Sequence, residues 1–156
     1  EAAREAPLPL IVALDQVQDA GNAGVLARTI YALGGAGLLL PKHNSVFLGA
    51  AAVKASAGAL PLLPAARVPN LGRALETLRE EGFTVYSTGD EGRSVFETTL
   101  KLPAVLVLGN EEKGVRPGVE KHAGESLRIP LARDFDSLNV AQAGAIFIAA
   151  FAALKS

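Results

Sequence analysis

The chain has 156 residues, 49% of them hydrophobic and 20% charged, with 15 Lys and Arg against 16 Asp and Glu. That size and apolar content fit one domain with a buried core and exclude wholesale disorder, while a net charge of −1 excludes a uniformly basic nucleic-acid binder and leaves room for a local basic patch. There is no cysteine, which excludes disulfides, thiolate nucleophiles and cysteine metal sites; His43 and His122 lie far apart, so no metal site is expected.

The chain starts at Glu1 and contains no Met, which predicts a processed chain or an excised domain. Residues 1–9 lack an apolar signal-peptide core and read as the remnant of a linker, with one domain over 10–156. The apolar run Leu10–Leu14 predicts a buried strand. A helix is expected from Ala23 to Leu33, with Asn22 as its N-cap and Gly34-Gly35 as its stop. Ala36–Leu40 predicts the next strand, closed by Pro41. Ser45 is expected to cap a helix to about Ala55, and Leu60–Leu63 reads as a short strand. Asn70 caps a helix whose Leu71, Ala74, Leu75 and Leu78 recur with helical spacing, ending at Gly82. Strands follow at Phe83–Thr88, Ala104–Leu108 and Leu127–Leu131. A long apolar helix over Asn139–Leu154 closes the chain; its apolar stretch is shorter than the roughly 18–20 residues of a membrane span and suits a subunit interface. Alternating strands and helices imply an α/β domain with a mostly parallel sheet, in which ligands bind beyond the carboxyl ends of the strands. A soluble, cytoplasmic domain is the expectation.

Three loops at strand ends carry unusual chemistry. The first, Asp15 to Gly24, leads to Arg28, placed about 9 Å along the helix from Asn22, from where its guanidinium could reach back over the loop. The alternative is a helix cap followed by a solvated Arg. The second is Leu108-Gly109-Asn110-Glu111-Glu112-Lys113-Gly114-Val115-Arg116-Pro117. Its Gly109-to-Gly114 spacing imitates a phosphate-binding loop, but Val115 and Arg116 stand where Lys and then Ser or Thr are needed, which rejects a nucleoside triphosphatase. The bland alternative is a polar turn with Pro117 opening a helix. The third runs from Ile129-Pro130-Leu131 through Arg133 to Ser137-Leu138-Asn139. Ser137 and Asn139 stand where a helix cap belongs, and a helix start also favours acceptor groups of a ligand.

In order and spacing, Asn22-x-Gly24-x-x-x-Arg28, Leu108-Gly109-Asn110-Glu111-x-x-Gly114 and Ile129-Pro130-Leu131 with Ser137-Leu138-Asn139 resemble the three motifs of the SpoU (TrmH-like) branch of the SPOUT methyltransferases. The resemblance runs from about Leu10 to the C-terminus. Lys54-Ala-Ser56-Ala-Gly58-Ala59 and Arg67-Val-Pro-Asn70-Leu71 also resemble the subgroup that methylates a guanosine ribose in bacterial 23S ribosomal RNA. The family commonly has Pro where Ala20 stands.

The resemblance implies a knotted α/β catalytic domain over 10–156, usually a homodimer, whose C-terminal segment threads a loop to form the cofactor pocket. It implies S-adenosylmethionine held by Gly109, Ile129 and Leu138, with Thr88, Gly89, Leu108, Asn110, Leu131, Ser137 and Asn139 as neighbours, and no metal. It implies methyl transfer to a ribose 2′-oxygen of RNA, ribosomal rather than transfer RNA, with Asn22, Arg28, Glu111, Ser137 and Asn139 at the reacting centre. Guanidinium stays protonated above pH 12, so Arg28 suits a phosphate anchor and electrostatic activator better than a base, with Glu111 the alternative proton acceptor. Arg28, Lys113, Arg116 and Arg133 are the candidates for a basic RNA patch around the pocket. The competing possibilities are a transfer-RNA enzyme of the same family and a cofactor- or RNA-binding module without catalysis.

Overall fold

The computed structural model describes residues 1–155. Six strands form one sheet in the order β3-β2-β1-β5-β4-β6: β1 (Leu10–Asp15), β2 (Gly37–Pro41), β3 (Ala65–Val68), β4 (Thr84–Ser94), β5 (Ala104–Gly109) and β6 (Glu125–Arg128). Every pairing is parallel. A parallel sheet is covered on both faces, which explains why β1, β2 and β5 are near-continuous apolar runs. Leu10, Val12, Leu14, Leu106 and Leu108 point to one face and pack with Leu26, Ala27 and Ile30 of α2 (Ala20–Ala32) and Phe147, Ile148 and Phe151 of α6 (Val140–Ala152). Ala13, Leu39, Val85, Val105 and Val107 point to the other, against Leu71 and Leu75 of α4 (Leu71–Glu80). The short helices α1 (Ala2–Glu5), α3 (Ala50–Ala55) and α5 (Pro117–Glu120) complete the layers.

Several expected boundaries move, each for a local reason. Asp19, not Asn22, is the N-cap of α2: its carboxylate accepts the Asn22 N–H at 2.8 Å, and the helix starts at Ala20. Asn22 thus lies within the first turn, and its side chain is not used as the cap. Residues 45–49 are irregular and Gly49 caps the shorter α3. The run at Leu60 is a 3-10 turn, Leu60–Leu62, because Pro61 contributes no N–H; the strand is the exposed edge segment Ala65–Val68, whose pattern is too short and open to stand out in sequence. The last strand is Glu125–Arg128, ending before Pro130. The final helix ends at Ala152 in a 3-10 turn.

Residues 1–9 pack on the domain. Leu8 is 1% exposed within the core, and the Arg4 guanidinium lies 5.2 Å from the centre of the Phe83 ring and donates to the Glu81 carbonyl.

The strand order reverses between β1 and β5. From β1 the chain builds outward through β2 and β3, then crosses to β4, so the loops after β1 and β5 diverge and leave a crevice at their carboxyl ends.

Candidate functional site

The first loop leaves β1 at Asp15, which is fully buried. A carboxylate with no access to water needs compensating donors, and Arg116 supplies them: its backbone N–H reaches Asp15 Oδ2 at 2.7 Å, and its Nε and Nη2 reach Oδ1 at 2.9 and 2.8 Å. Gln16 follows with φ 63°, a left-handed conformation uncommon for a residue with a Cβ, and its carbonyl accepts the Asn110 side-chain amide at 2.9 Å.

The second loop is closed on itself. Asn110 and Gly114 exchange backbone hydrogen bonds of 3.1 and 2.9 Å, and Asn110 Oδ1 accepts from the backbone of Glu112 and Lys113. Gly114 has φ +71°, and a Cβ on Gly109 would collide with the backbone of Gly114 and Val115, so both glycines are required by the turn. Pro117 opens α5, as the polar-turn alternative expects.

The third loop ends at Asn139, which caps α6 by accepting from Ala141 and Gln142 with its side-chain oxygen. Its amide nitrogen then has only a donor to offer, and it donates to Asn22 Oδ1 at 3.1 Å. Asn22 Nδ2 in turn donates to Glu111 Oε1 at 3.3 Å. The acceptor-only carboxylate at one end and the helix N–H groups at the other fix the orientation of both amides. Three loops far apart in sequence are therefore joined by one chain of hydrogen bonds across the crevice.

Two cavities flank this chain. The larger, 1090 Å³, is lined on one side by Thr88, Gly89, Leu108, Gly109, Asn110 and Glu111 and on the other by Ile129, Leu131, Ser137 and Leu138. The smaller, 530 Å³, is polar and bounded by Gln16, Gln18, Asp19, Asn22, Asn110 and Glu111. Asn110, Glu111, Glu112 and Lys113 belong to both, so the loop after β5 forms the wall that the two cavities share.

All of the expected cofactor neighbours except Asn139 line the larger cavity; Asn139 stands behind it as the α6 cap. Of the expected reacting groups, Asn22, Glu111 and Asn139 are brought together, and Ser137 is on the cavity wall. Arg28 is not brought to them. Its side chain is exposed, lines neither cavity and makes no ion pair or hydrogen bond among the described residues; with no carboxylate to hold it over the loop, the guanidinium stays in water. Of the basic candidates, Lys113 borders both cavities, Arg133 is exposed and lines neither, and Arg116 is committed to Asp15. Sequence reasoning missed Asp15 and Asp19, although acidic residues at a strand end and before a helix were available signals. It also missed Asp90, Glu91, Glu120 and Asp136, which give the larger cavity an acidic wall. The 23S-subgroup stretches have structural work here: Ser56 Oγ accepts from Leu60 N–H in a buried turn, Arg67 donates to the Val46 carbonyl, and Asn70 caps α4.

Among the described residues, no group of three or more His, Asp or Glu could hold a metal ion, and no helix is long and apolar enough to cross a membrane.

A parallel α/β domain with a crevice at the reversal of its strand order has the architecture in which such sheets hold a ligand. Residues 9–149 match the profile described as the SpoU rRNA Methylase family, and the chain belongs to that family. It is 38% identical over 141 residues to the 23S rRNA (guanosine-2′-O-)-methyltransferase RlmB of Pseudomonas aeruginosa, an alignment covering 90% of this chain and 57% of the relative. Among solved structures, it is similar to the AdoMet-bound rRNA methyltransferase from Sinorhizobium meliloti, with TM-score 0.82 and 32% identity over 91% of this chain and 55% of that one. The SpoU methyltransferase AviRb from Streptomyces viridochromogenes, in complex with the cofactor AdoMet, superposes with TM-score 0.83 and 29% identity, covering 92% and 57% of the two chains. The chain spans about half the length of the curated relatives it matches.

Proposed function

We propose that this domain transfers a methyl group from S-adenosylmethionine to a ribose 2′-hydroxyl of RNA, with 23S ribosomal RNA as the substrate class. The observation that carries this is the Asn139–Asn22–Glu111 chain of hydrogen bonds, which holds the Glu111 carboxylate on the loop wall shared by a large and a small cavity. The names of the relatives, a 23S rRNA 2′-O-methyltransferase and two AdoMet-bound methyltransferases, support the same reading.

The larger cavity fits the cofactor in size and chemistry. Its volume is at the upper end of the roughly 300–1,000 Å³ of small-molecule sites. Leu108, Ile129, Leu138 and Phe147 offer apolar surface for a purine, the backbone of β4 at Gly89 is open to a ligand, and Asp90, Glu91 and Asp136 suit a molecule carrying sulfonium and ammonium charge. When bound, S-adenosylmethionine supplies an electrophilic methyl group. The smaller, amide-rich cavity suits a ribose and its base. There Glu111 accepts the 2′-hydroxyl proton, Asn22 holds that carboxylate by donating to Oε1, and Asn139 holds Asn22. Arg28, exposed on α2, anchors an RNA phosphate from outside the cavities.

The same reading includes a C-terminal segment threaded as a knot and a homodimer. In support of the first, α6 returns from the far-edge strand β6 to pack on α2, so tightly that a Cβ on Gly144 would strike Leu26. In support of the second, Val25 and Tyr31 of α2, its C-cap Leu33, and Leu154 of the 3-10 turn after α6 are exposed apolar side chains.

Calorimetric titration of the chain with S-adenosylmethionine, followed by labelled-methyl transfer to ribosomal RNA, tests the function. Saturable binding that a Leu138→Arg variant abolishes is expected. A folded chain that binds no cofactor would overturn the proposal.

A further inference from the structure

The charge on this domain is segregated in a way its net value conceals. Residues 20–75 carry five Lys and Arg and one His, and no Asp or Glu at all; all 16 carboxylates lie outside that stretch. The stretch builds one wing of the sheet, from α2 through β2, α3 and β3 into the first turn of α4. The carboxylates at Asp90, Glu91, Glu111, Glu112 and Asp136 ring the larger cavity on the other side of the reversal point. The basic candidates Lys113 and Arg133 therefore sit beside acids in sequence, whereas the wing has none to neutralise its cations.

Within the wing, the carboxyl-end rim concentrates the chemistry. Lys42 and His43 directly follow β2, Arg67 is the penultimate residue of β3, and Arg73 lies in the first turn of α4, all exposed. This is the end of the sheet from which the Asp15 and Gly109 loops also leave. In the same rim loop Phe47 is 83% exposed, the most exposed of the large apolar side chains. It is not loose. The Arg67 guanidinium donates to the carbonyl of neighbouring Val46, Val46 itself is buried in the core, and the Phe47 ring rests on Gly49, where a Cβ would collide with it. An aromatic ring backed by a glycine, open on its outer side and on a rim whose cations Lys42, His43 and Arg67 have no acid within the 20–75 stretch, with Glu76 the first acid beyond Arg73, has the composition of a surface that stacks an unpaired base and holds its phosphates.

We propose that the rim formed by Lys42, His43, Phe47, Arg67 and Arg73 is the RNA-docking surface of this domain, with Phe47 as the stacking platform for an unpaired base near the nucleotide being methylated. This rests on the RNA methylation proposed above, and it moves the basic patch from the cavity wall to the opposite wing. Ordered loading follows: the rim takes the single-stranded segment, and the smaller cavity next to it takes one ribose.

The test is fluorescence anisotropy of the full chain with a fluorescein-labelled stem–loop RNA and with the same stem lacking the loop, alongside cofactor calorimetry. Phe47→Ala is expected to weaken stem–loop binding about tenfold and to leave the salt dependence unchanged, since stacking is not a counterion effect. Phe47→Trp is expected to retain or tighten it. Lys42→Glu combined with Arg73→Glu is expected to weaken binding and flatten the salt slope by about 0.7–0.9 for each phosphate no longer neutralised. Lys101→Glu, ahead of β5 at the opposite end of the sheet, is the control and is expected to change neither. Cofactor affinity is expected to be equal in all four variants. Stem–loop RNA bound equally by wild type and rim variants would overturn the docking surface and leave the methyltransferase reading standing. A wild-type chain that binds cofactor and no RNA would overturn the surface as an RNA site, and one that binds neither would sink the functional reading with it. A change of oligomeric state in Phe47→Ala by sedimentation would assign the ring to a second copy of the chain and overturn the proposal.

Discussion

Asp15 and Arg116 meet through two hydrogen bonds, one from the Arg116 backbone N–H and one from its Nε, and an Nη2–Oδ1 ion-pair contact of 2.8 Å, and so pin the loop after β5 to the end of β1. The carboxylate is fully buried while the guanidinium side chain is 43% exposed, so the two ends of the pair respond differently to mutation. Arg116→Ala leaves a buried charge with one donor and is expected to cost about 3 kcal/mol, toward the low end for breaking a buried pair. Asp15→Asn keeps an acceptor for the Arg116 backbone N–H and is expected to cost less. Urea unfolding of both variants measures the order; a larger loss in Asp15→Asn would contradict it.

Removing the middle of the amide chain separates positioning from chemistry. Asn22→Ala is expected to lower turnover on RNA by about 10²–10³, the scale of a misheld catalytic group, and to leave cofactor affinity within twofold because Asn22 lines only the smaller cavity. Glu111→Gln keeps the shape and removes the proton acceptor, so it is expected to cost turnover while leaving cofactor affinity in place. Arg28→Lys tests the planar phosphate contact, with a raised KM and near-normal maximal rate expected.

Ala20 is the first residue of α2, and Asp19 before it is extended at φ −82°, ψ 118°. Proline is tolerated at that position and compatible with such a predecessor. Ala20→Pro, the residue common in the family, is expected to stabilise the domain by about 0.4–1 kcal/mol through the unfolded state, read as a raised Tm.

Gly109→Ala places a methyl against the backbone of Gly114 and Val115, which the closed turn cannot yield without breaking its two backbone hydrogen bonds. Both cavities share this loop, so loss of cofactor binding and of turnover together is the expected result, seen by calorimetry and methyl transfer.

Burial raises the pKa of the Tyr86 hydroxyl above its usual 10.0; the Lys101 N–H it accepts opposes this, and Glu125 adds to it. With the folded value above the unfolded one, the contribution to stability is complete below about pH 10 and is lost as pH rises through the folded value. Tyr86→Phe is expected to flatten the alkaline fall in unfolding midpoint, while costing about 1 kcal/mol at neutral pH for the unpaired Lys101 N–H.

The apolar runs of β1, β2 and β5 and the helical spacing of α4 were legible because each answers to one strong requirement, a buried face. Where two requirements competed, sequence alone misplaced the element. Asn22 is a good capping residue, yet Asp19 takes the cap and leaves Asn22 to the crevice. Leu60–Leu63 has a strand's composition, but Pro61 removes a donor and the exposed segment Ala65–Val68 pairs instead. The three loops were legible through the family resemblance. Their joining through Asn22 was not, because an amide-to-carboxylate contact at a sequence separation of 89 and an amide-to-amide contact at 117 leave no periodic trace. Arg116 looked like a free cation because the carboxylate that claims it lies 101 residues away.

The Asn139–Asn22–Glu111 chain also has a thermodynamic consequence. Whatever orders the loop ending at Asn139 from the larger cavity strengthens the hold on Glu111 beside the smaller one. By reciprocity, an occupant of the smaller cavity must tighten the larger by the same factor. Two cavities linked through the Asn22 amide are thereby expected to respond to each other's occupancy, and cutting that amide should leave two sites that fill independently.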